Sequence, residues 1–540
     1  MHGGHRSPLP SPLMSDRCFN LADLYELVAD HVPDRVALVA GDRRATYAEL
    51  DRRANRFAHA LIARGVRPGE WVGIHSYNRA EWIEAFIGCF KARVVPINVN
   101  YRYVAEELRY LFDNADLTAL VYEAEFGPRV EPILAELPLL RTLIRLDDET
   151  GTTDSLGADD YDVALADASP ERDFAPRSPD DLYVLYTGGT TGMPKGVLWR
   201  GEDIFFAALG GGNYGGPGIT APERIVDAIG EHQMCTMAFA PLMHGNAQWT
   251  SLATLFGGNK LVLNCQRRMD ATALWETCDA EAINSLSIVG DAMARPLVDA
   301  LADREPPASV VAIVSGGAIL SPAIKHEFNT RMPNVMILDS FGASETGANG
   351  AVDITDKGPK FRMNEWTTVI GDDLAVVETG ETGMLARRGH VPLGYYKDES
   401  KTAATFVTAP DGTRWAIPGD RAVRESDGTI TVLGRGSQCI NSGGEKIFPE
   451  EVEAALKSHP AVFDATVVGR ADERWGEHVC AVVEFRSGLT ADLDALAAHC
   501  RDHIAGYKVP RSLVVVDEMV RSPSGKPDYR WAKELASSPE

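Results

Sequence analysis

Apolar and polar positions along this chain follow two rhythms, and the two trade places repeatedly. Val36 to Val39 is a short β-branched run of the kind that fills a strand. Thr46-Tyr-Ala-Glu49 has the form of a capping box, in which a hydroxyl and a carboxylate exchange hydrogen bonds with free amides at a helix start. Leu50, Ala54, Phe57, Ala58 and Leu61 follow at helical spacing. Trp71 to Ile74 reads as a strand, Ala80 to Lys91 as a helix and Val94 to Val99 as a strand. The alternation predicts layered α/β architecture with largely parallel strands. Residues 147–180, rich in Asp, Ser, Gly and Pro, predict a long surface connection, and residues 210–218, GGGNYGGPG, a flexible loop.

The pattern restarts after the glycine-punctuated stretch Gly434 to Gly444, GRGSQCINSGG. Pro449 suits the first position of a helix, and Val452 and Leu456 fall on one face of it. Ala465 to Val468, Val479 to Phe485 and Leu513 to Val516 read as strands, and Ala491 to His503 as a helix. A small α+β C-terminal domain behind a glycine-rich hinge predicts a mobile lid.

Length and composition narrow the function. The chain has 540 residues, too many for one core when a domain runs to roughly 100–200 residues. Its net charge of −24 argues against a nucleic-acid partner. An anionic substrate would have to be met by local positive charge, backbone amides or a metal. No apolar run approaches the ~18 residues of a membrane span. The opening MHGGHRSPLPSPLM lacks the apolar centre of a secretory signal; it reads as a loose tail, with Met14 as a second candidate start. The 8 cysteines form no C-x-x-C pair, which fits reduced thiols in a cytoplasmic protein better than disulfides or zinc.

The strongest chemical signal is Tyr186-Thr-Gly-Gly-Thr-Thr-Gly-Met-Pro-Lys-Gly196, which follows the strand-like run Leu182 to Tyr186. Glycines let backbone N–H groups approach phosphate oxygens, threonine hydroxyls add donors and Lys195 adds charge. A solvent loop after a strand is the plainer reading of such a segment taken alone. It is not a Walker A loop, because Pro194 and Gly196 stand where that motif needs Gly and Ser or Thr. Gly342-Ala-Ser-Glu-Thr346 does not fit the G-x-S-x-G of an α/β-hydrolase. Taken alone, Asp339-Ser-Phe-Gly-Ala-Ser-Glu-Thr-Gly347 reads as a helix cap with Ser344 and Glu345 in a first turn, and Pro418-Gly-Asp420 as a plain turn.

Together these motifs resemble the superfamily of acyl-CoA synthetases, peptide-synthetase adenylation domains and firefly luciferase, over about residues 20 to 535. The runs INSGGEKIFPEEVE and GYKVPRSLVVVDEMVRSPSGKPDYRWAKE are most similar to actinobacterial fatty-acyl and sterol-side-chain CoA ligases. The resemblance implies a layered α/β N-terminal adenylate-forming domain over residues 20–434, a hinge at 435–437 and a small mobile α+β lid over 438–540, after a tail at 1–19. It implies ATP contacts from Thr187, Gly188, Gly189, Thr190, Thr191, Gly192 and Lys195, from Gly316, Gly317 and Ala318, and from Asp339, Phe341, Gly342 and Ser344. Phe341 would stack on adenine, Asp420 and Arg435 would hold the ribose, and Glu345 would hold Mg²⁺ on the phosphates. Lys526, in Ser522-Pro-Ser-Gly-Lys526, would steady charge between the acid and the α-phosphate; with Glu345, Thr187 and His244 it makes the catalytic set, His244 standing near the acyl-pocket mouth in relatives and reading equally well as a buried structural histidine. Gly290-Asp291-Ala292 and Ser442, Gly443 and Gly444 would border the coenzyme A path.

The implied reaction joins a carboxylic acid to coenzyme A with ATP and Mg²⁺, through an acyl-adenylate, with AMP and pyrophosphate released. Two departures stand out: Ser344 where relatives usually carry threonine, and Ser437 where they carry Asp or Lys at the hinge. Small residues Gly317, Ala318, Ala343, Gly347 and Gly350 hint at a roomy acyl pocket. Carrier-protein loading and aryl-acid CoA ligation stay open as alternatives, and a homodimer is compatible with the sequence.

Overall fold

Thr46 and Glu49 close the capping box. The Thr46 Oγ1 accepts the Glu49 N–H at 3.2 Å, and the Glu49 carboxylate accepts the Thr46 N–H at 2.8 Å. The helix Tyr47–Ala63 follows, with Leu50, Ala54, Phe57, Ala58 and Leu61 turned into the core. The computed structural model describes residues 18–537 apart from 190–191, 214–215, 319, 356–357, 436–437, 439, 443–444, 473–475, 505 and 522–524.

A five-stranded sheet runs in the order Val95–Asn98, Trp71–His75, Leu117–Glu123, Thr142–Leu146 and Asp159–Asp160, all parallel. The long connection expected over 147–180 is therefore partly structured. It supplies the last of these strands and the helix Tyr161–Ala166. Buried charge pins its remainder: the Arg172 and Arg177 guanidiniums reach Asp51 at 2.9 Å and Glu26 at 2.9 Å, two carboxylates that also hold the fully buried Lys91. Composition marked this segment as polar but could not show that its arginines complete an ion cluster under three helices.

The largest sheet is parallel for only part of its width. Val36–Ala40, Lys260–Leu263, Cys235–Ala238, Ser285–Ile288, Ala312–Gly316 and Met336–Ala343 lie side by side and parallel. The chain then reverses, and Gly347–Thr355, Gly358–Arg362, Thr429–Arg435 and Asp420–Arg424 continue the sheet antiparallel. The cause is local. A parallel partner needs a long crossover, whereas Ser344 to Thr346 is a tight turn closed by Gly347 at φ +69°. A Cβ at Gly347 would stand 2.6 Å from the Ala207 carbonyl oxygen, so no other residue fits. The helix cap read for this segment from its residues alone is thus a strand–turn–strand.

The C-terminal layer has its own five-stranded sheet. Gly476–Phe485 is its central strand, paired antiparallel with Val462–Asp472 and parallel with Ser512–Val516. Helices Pro449–Lys457 and Leu493–Arg501 cover a separate core built on Ile440, Ile447, Val452, Leu456, Val467 and Val483. The molecule is thus mixed α/β, with a large N-terminal domain and a smaller C-terminal one. Among the described residues every cysteine is a free thiol, and no helix is long and apolar enough to cross a membrane.

Candidate active site

Open α/β sheets bind ligands beyond the carboxyl ends of their parallel strands. Here Ser287, Val314 and Leu338 lie in one register row; the chain leaves the sheet at Val289 and Gly317, and Phe341 is the first residue past the parallel pairing of its strand. Gly317 turns at φ +92°, with the place of its missing Cβ 3.8 Å from Val289 Cγ1. The Gly290 N–H donates to Ser315 Oγ at 3.0 Å, which ties the two exits together. Below this edge, Ser287 Oγ lies 3.0 Å from Thr250 Oγ1 and 3.3 Å from Asn246 Oδ1, and Asn246 Nδ2 donates to the Gly316 carbonyl at 3.2 Å. Asn246 and Thr250 stand four apart on the helix Gly245–Phe256, whose N-cap is His244.

The glycine-rich motif is the end of a hairpin. Leu182–Gly189 pairs antiparallel with Gly192–Arg200, and Thr187 lies opposite Lys195. Asn98 bolts the hairpin to the scaffold: its Oδ1 accepts the Tyr186 N–H at 2.8 Å, and its Nδ2 donates to the Tyr186 and Met243 carbonyls at 2.8 and 2.7 Å. Lys195 forms an ion pair with Asp398, the N-cap of the helix Glu399–Thr405. That ammonium, followed by the Lys401 N–H, holds the Asp398 carboxyl below its usual range.

Glu345 reaches the same place from the other sheet. Tyr395, on a two-residue strand paired with the hairpin, donates its hydroxyl to Glu345 Oε1 at 2.8 Å. Trp199 Nε1 donates to the Ser344 carbonyl at 2.9 Å. A carboxylate anchored through one oxygen keeps its other oxygen for a divalent cation, and Glu345 fits that role.

Phe341 stacks one ring face on Phe361 at 5.7 Å and 17°. Asp420 is buried and lies in register with Arg435 across paired strands. Asp339 forms an ion pair with Lys325. Burial, with Asp291 and Asp353 nearby, still raises its carboxyl to about 6 against the pull of Lys325.

The C-terminal layer completes the edge. Gly525 packs on Val289, with the place of a Cβ 3.4 Å from its Cγ1, so the backbone leading into Lys526 lies at the strand exit beside Gly317. Arg521 holds that loop: it donates to the Gly525 carbonyl at 3.0 Å and to Asp464 at 2.6 Å.

A family model for the AMP-binding enzyme matches residues 25–396, and one for the AMP-binding enzyme C-terminal domain matches residues 451–526. The chain belongs to the AMP-binding enzyme family. It is 48% identical over 533 residues to the 3-oxocholest-4-en-26-oate–CoA ligase of Rhodococcus rhodochrous, covering 95% of each chain. It is 47% identical to the medium/long-chain-fatty-acid–CoA/3-oxocholest-4-en-26-oate–CoA ligase of Mycolicibacterium smegmatis, covering 96% of each. Among solved structures, the anthranilate CoA ligase AuaEII in complex with anthranoyl-AMP shares the fold, with a TM-score of 0.83, 24% identity and coverage of 96% of this chain and 98% of that one.

In this AMP-binding enzyme, motifs at residues 186–196, 339–347 and 525–526 meet around one sheet edge. Thr190, Thr191, Ser437, Gly443 and Gly444 lie outside the described residues, while Ser442 is buried in the strand Ile440–Ser442 of the C-terminal sheet. Sequence reasoning missed Asn98, Tyr395, Asp398, Lys325 and Arg521. Each acts by holding a motif residue from a distant element, and none carries a local signal that separates it from an ordinary polar residue.

Proposed function

We propose that this protein joins a carboxylic acid to coenzyme A at the expense of ATP, giving acyl-CoA, AMP and pyrophosphate. It is an acid–thiol ligase that works in two steps. A carboxylate oxygen attacks the α-phosphorus of ATP, the bond to the bridging oxygen breaks and pyrophosphate leaves. The coenzyme A thiolate then attacks the acyl carbonyl, and AMP leaves with the electron pair of the mixed anhydride bond.

The observation that carries this reading is that the 186–196 hairpin reaches Glu345 through Tyr395, while Gly525, next to Lys526, packs on Val289 at a nearby strand exit of the same sheet. Backbone N–H groups and hydroxyls of the hairpin would receive phosphate oxygens. Phe341 offers its ring face away from Phe361 to adenine, and Asp420 accepts ribose hydroxyls. Lys526 would steady the charge that develops between acid and α-phosphate. Glu345 would hold Mg²⁺, which when bound offsets the triphosphate charge. Residues 438–540 would act as a lid that swings about 435–437 between the two steps, with Ser442, Gly443 and Gly444 on the thiol path. The relatives favour a sterol side-chain or medium- to long-chain fatty acid as the substrate.

The test is AMP release by the purified protein with Mg·ATP against a panel of fatty, sterol side-chain and aryl acids, with and without coenzyme A. Sustained AMP release should require both a lipidic acid and coenzyme A. Equal rates without coenzyme A, or with no acid at all, would sink the reading. The metal site has its own check. Tyr395→Phe should leave the fold intact and raise the Mg²⁺ needed for half-maximal pyrophosphate release about tenfold, the usual effect of losing a group that orients a metal ligand. Glu345→Gln should have a larger effect in the same direction. An unchanged Mg²⁺ dependence in both variants would remove Glu345 from the metal site.

A further inference from the structure

The junction between the large sheet and the C-terminal layer closes on a single carboxyl group. Glu450 is in the first turn of the helix Pro449–Lys457, and its side chain lies against Gly434 of the strand Thr429–Arg435. A Cβ at Gly434 would stand 2.6 Å from Glu450 Oε2 and 3.1 Å from Oε1. Oε2 is shut off from solvent and has no hydrogen-bond partner among the described residues. The titratable groups facing it are mostly acidic: Asp420 on the strand Asp420–Arg424, Glu451 and Glu453 on its own helix, and Tyr529 at the start of the helix Tyr529–Ser537. Arg435 follows Gly434 with its backbone in register with Asp420. Two of the carboxylates are already engaged, Glu451 by an ion pair with Lys508 and Glu453 by the Val467 N–H at 3.0 Å. Glu450 is the one wedged between the two layers.

We propose that Glu450 is a positioning residue for adenylation: it enters this junction as the neutral acid, so docking the C-terminal layer over the strand exits takes up one proton. The inference rests on the two-step ligase reading for its consequence, because the docked arrangement is the one that brings the Lys526 loop to Val289. A charged carboxylate is strongly disfavoured in this setting, where its own backbone N–H is the donor that favours the charge and the described groups around it are mainly acidic. Burial first, then the neighbouring Glu453 and Asp420 carboxylates, pushes the Glu450 carboxyl up to about 8. Once the layers part and water reaches the group, it returns toward the ordinary value of about 4.3 and gives the proton back. Docking is therefore strongest at low pH. It weakens by up to about tenfold per pH unit between the ordinary carboxylate range and about pH 8, and levels off above that.

The experiment places a fluorescent donor and acceptor on the two layers of the full chain and follows docking from about pH 6 to about pH 8.5. In the wild-type protein the ratio of docked to undocked molecules should fall at least about tenfold over this range. Glu450→Gln is neutral throughout and should hold docking constant, and Glu450→Ala should also lose the pH dependence. Matching thermal unfolding midpoints confirm that the variants are folded. The pyrophosphate-release step should follow the same courses. If the wild type and Glu450→Gln share one pH course, the proposal is wrong. The docking signal needs neither acid nor coenzyme A. A protein inert in the acid panel would therefore overturn the ligase reading alone, and an active ligase with identical pH courses would overturn the role of Glu450 alone.

Discussion

Lys526→Ala should lower acid-dependent pyrophosphate release by roughly 100-fold or more, the range expected when one preorganised charge is removed from a developing transition state. Thioester formation from a synthetic acyl-adenylate should survive largely intact. The split follows from placement. The backbone leading into Lys526 packs on Val289 at the strand exit beside Gly317, on a loop pinned by Arg521 to Asp464. On the proposed two-step reading, a residue delivered to that edge by the C-terminal layer serves the first step and would leave with the layer before the second. Lys526 itself is exposed, so the variant should unfold at the wild-type temperature. Equal losses in both half-reactions would show that Lys526 supports the protein and not the adenylation step.

The second large effect is structural in origin. Asn98→Leu should destabilise the protein by about 3 kcal/mol or more, since each buried polar group left without its partner costs about 1–3 kcal/mol. Asn98 satisfies three backbone groups at once, the Tyr186 N–H and the Tyr186 and Met243 carbonyls, at a buried position. Leucine is close in size but offers neither donor nor acceptor. Tyr186 begins the glycine-rich run, so adenylation should fall further than stability alone explains, with the Michaelis constant for ATP rising most. Denaturant unfolding and steady-state kinetics on the same preparation check both halves. A variant with wild-type stability would mean that water replaces Asn98 and that the hairpin is held elsewhere.

Much of the local structure was legible. The Thr46–Glu49 capping box and the helix Ala80–Lys91 occur where the pattern put them. The strand Trp71–His75 runs one residue longer than read, and the helix expected over 491–503 is shorter, Leu493–Arg501, because Asp492 takes the N-cap. The errors share a cause. Residues 339–347 resemble a helix start because Ser and Glu favour first turns, yet Gly347 in the left-handed region makes them a reversal between strands. Residues 147–180 resemble a loose connection because they are polar, yet Arg172 and Arg177 are held by carboxylates more than a hundred residues away.

By itself the sequence determined what each segment can do. Spacing set which helix faces are buried, glycine placement set where backbone could approach a phosphate, and residue type set which groups could hold a cation or steady charge. These are short-range properties, carried by neighbours in the chain. Only the tertiary structure decided which segments meet. The order of strands across the large sheet brings Ser344 and Glu345 to Trp199 and Tyr395, and the way the C-terminal layer docks brings Gly525 to Val289 and Glu450 to Gly434. Periodicity carries no record of strand order or of docking, because a segment buries the same apolar face whichever neighbour covers it. The partners that turn separate motifs into one site, Tyr395 on Glu345 and Asp398 on Lys195, could be found only in three dimensions.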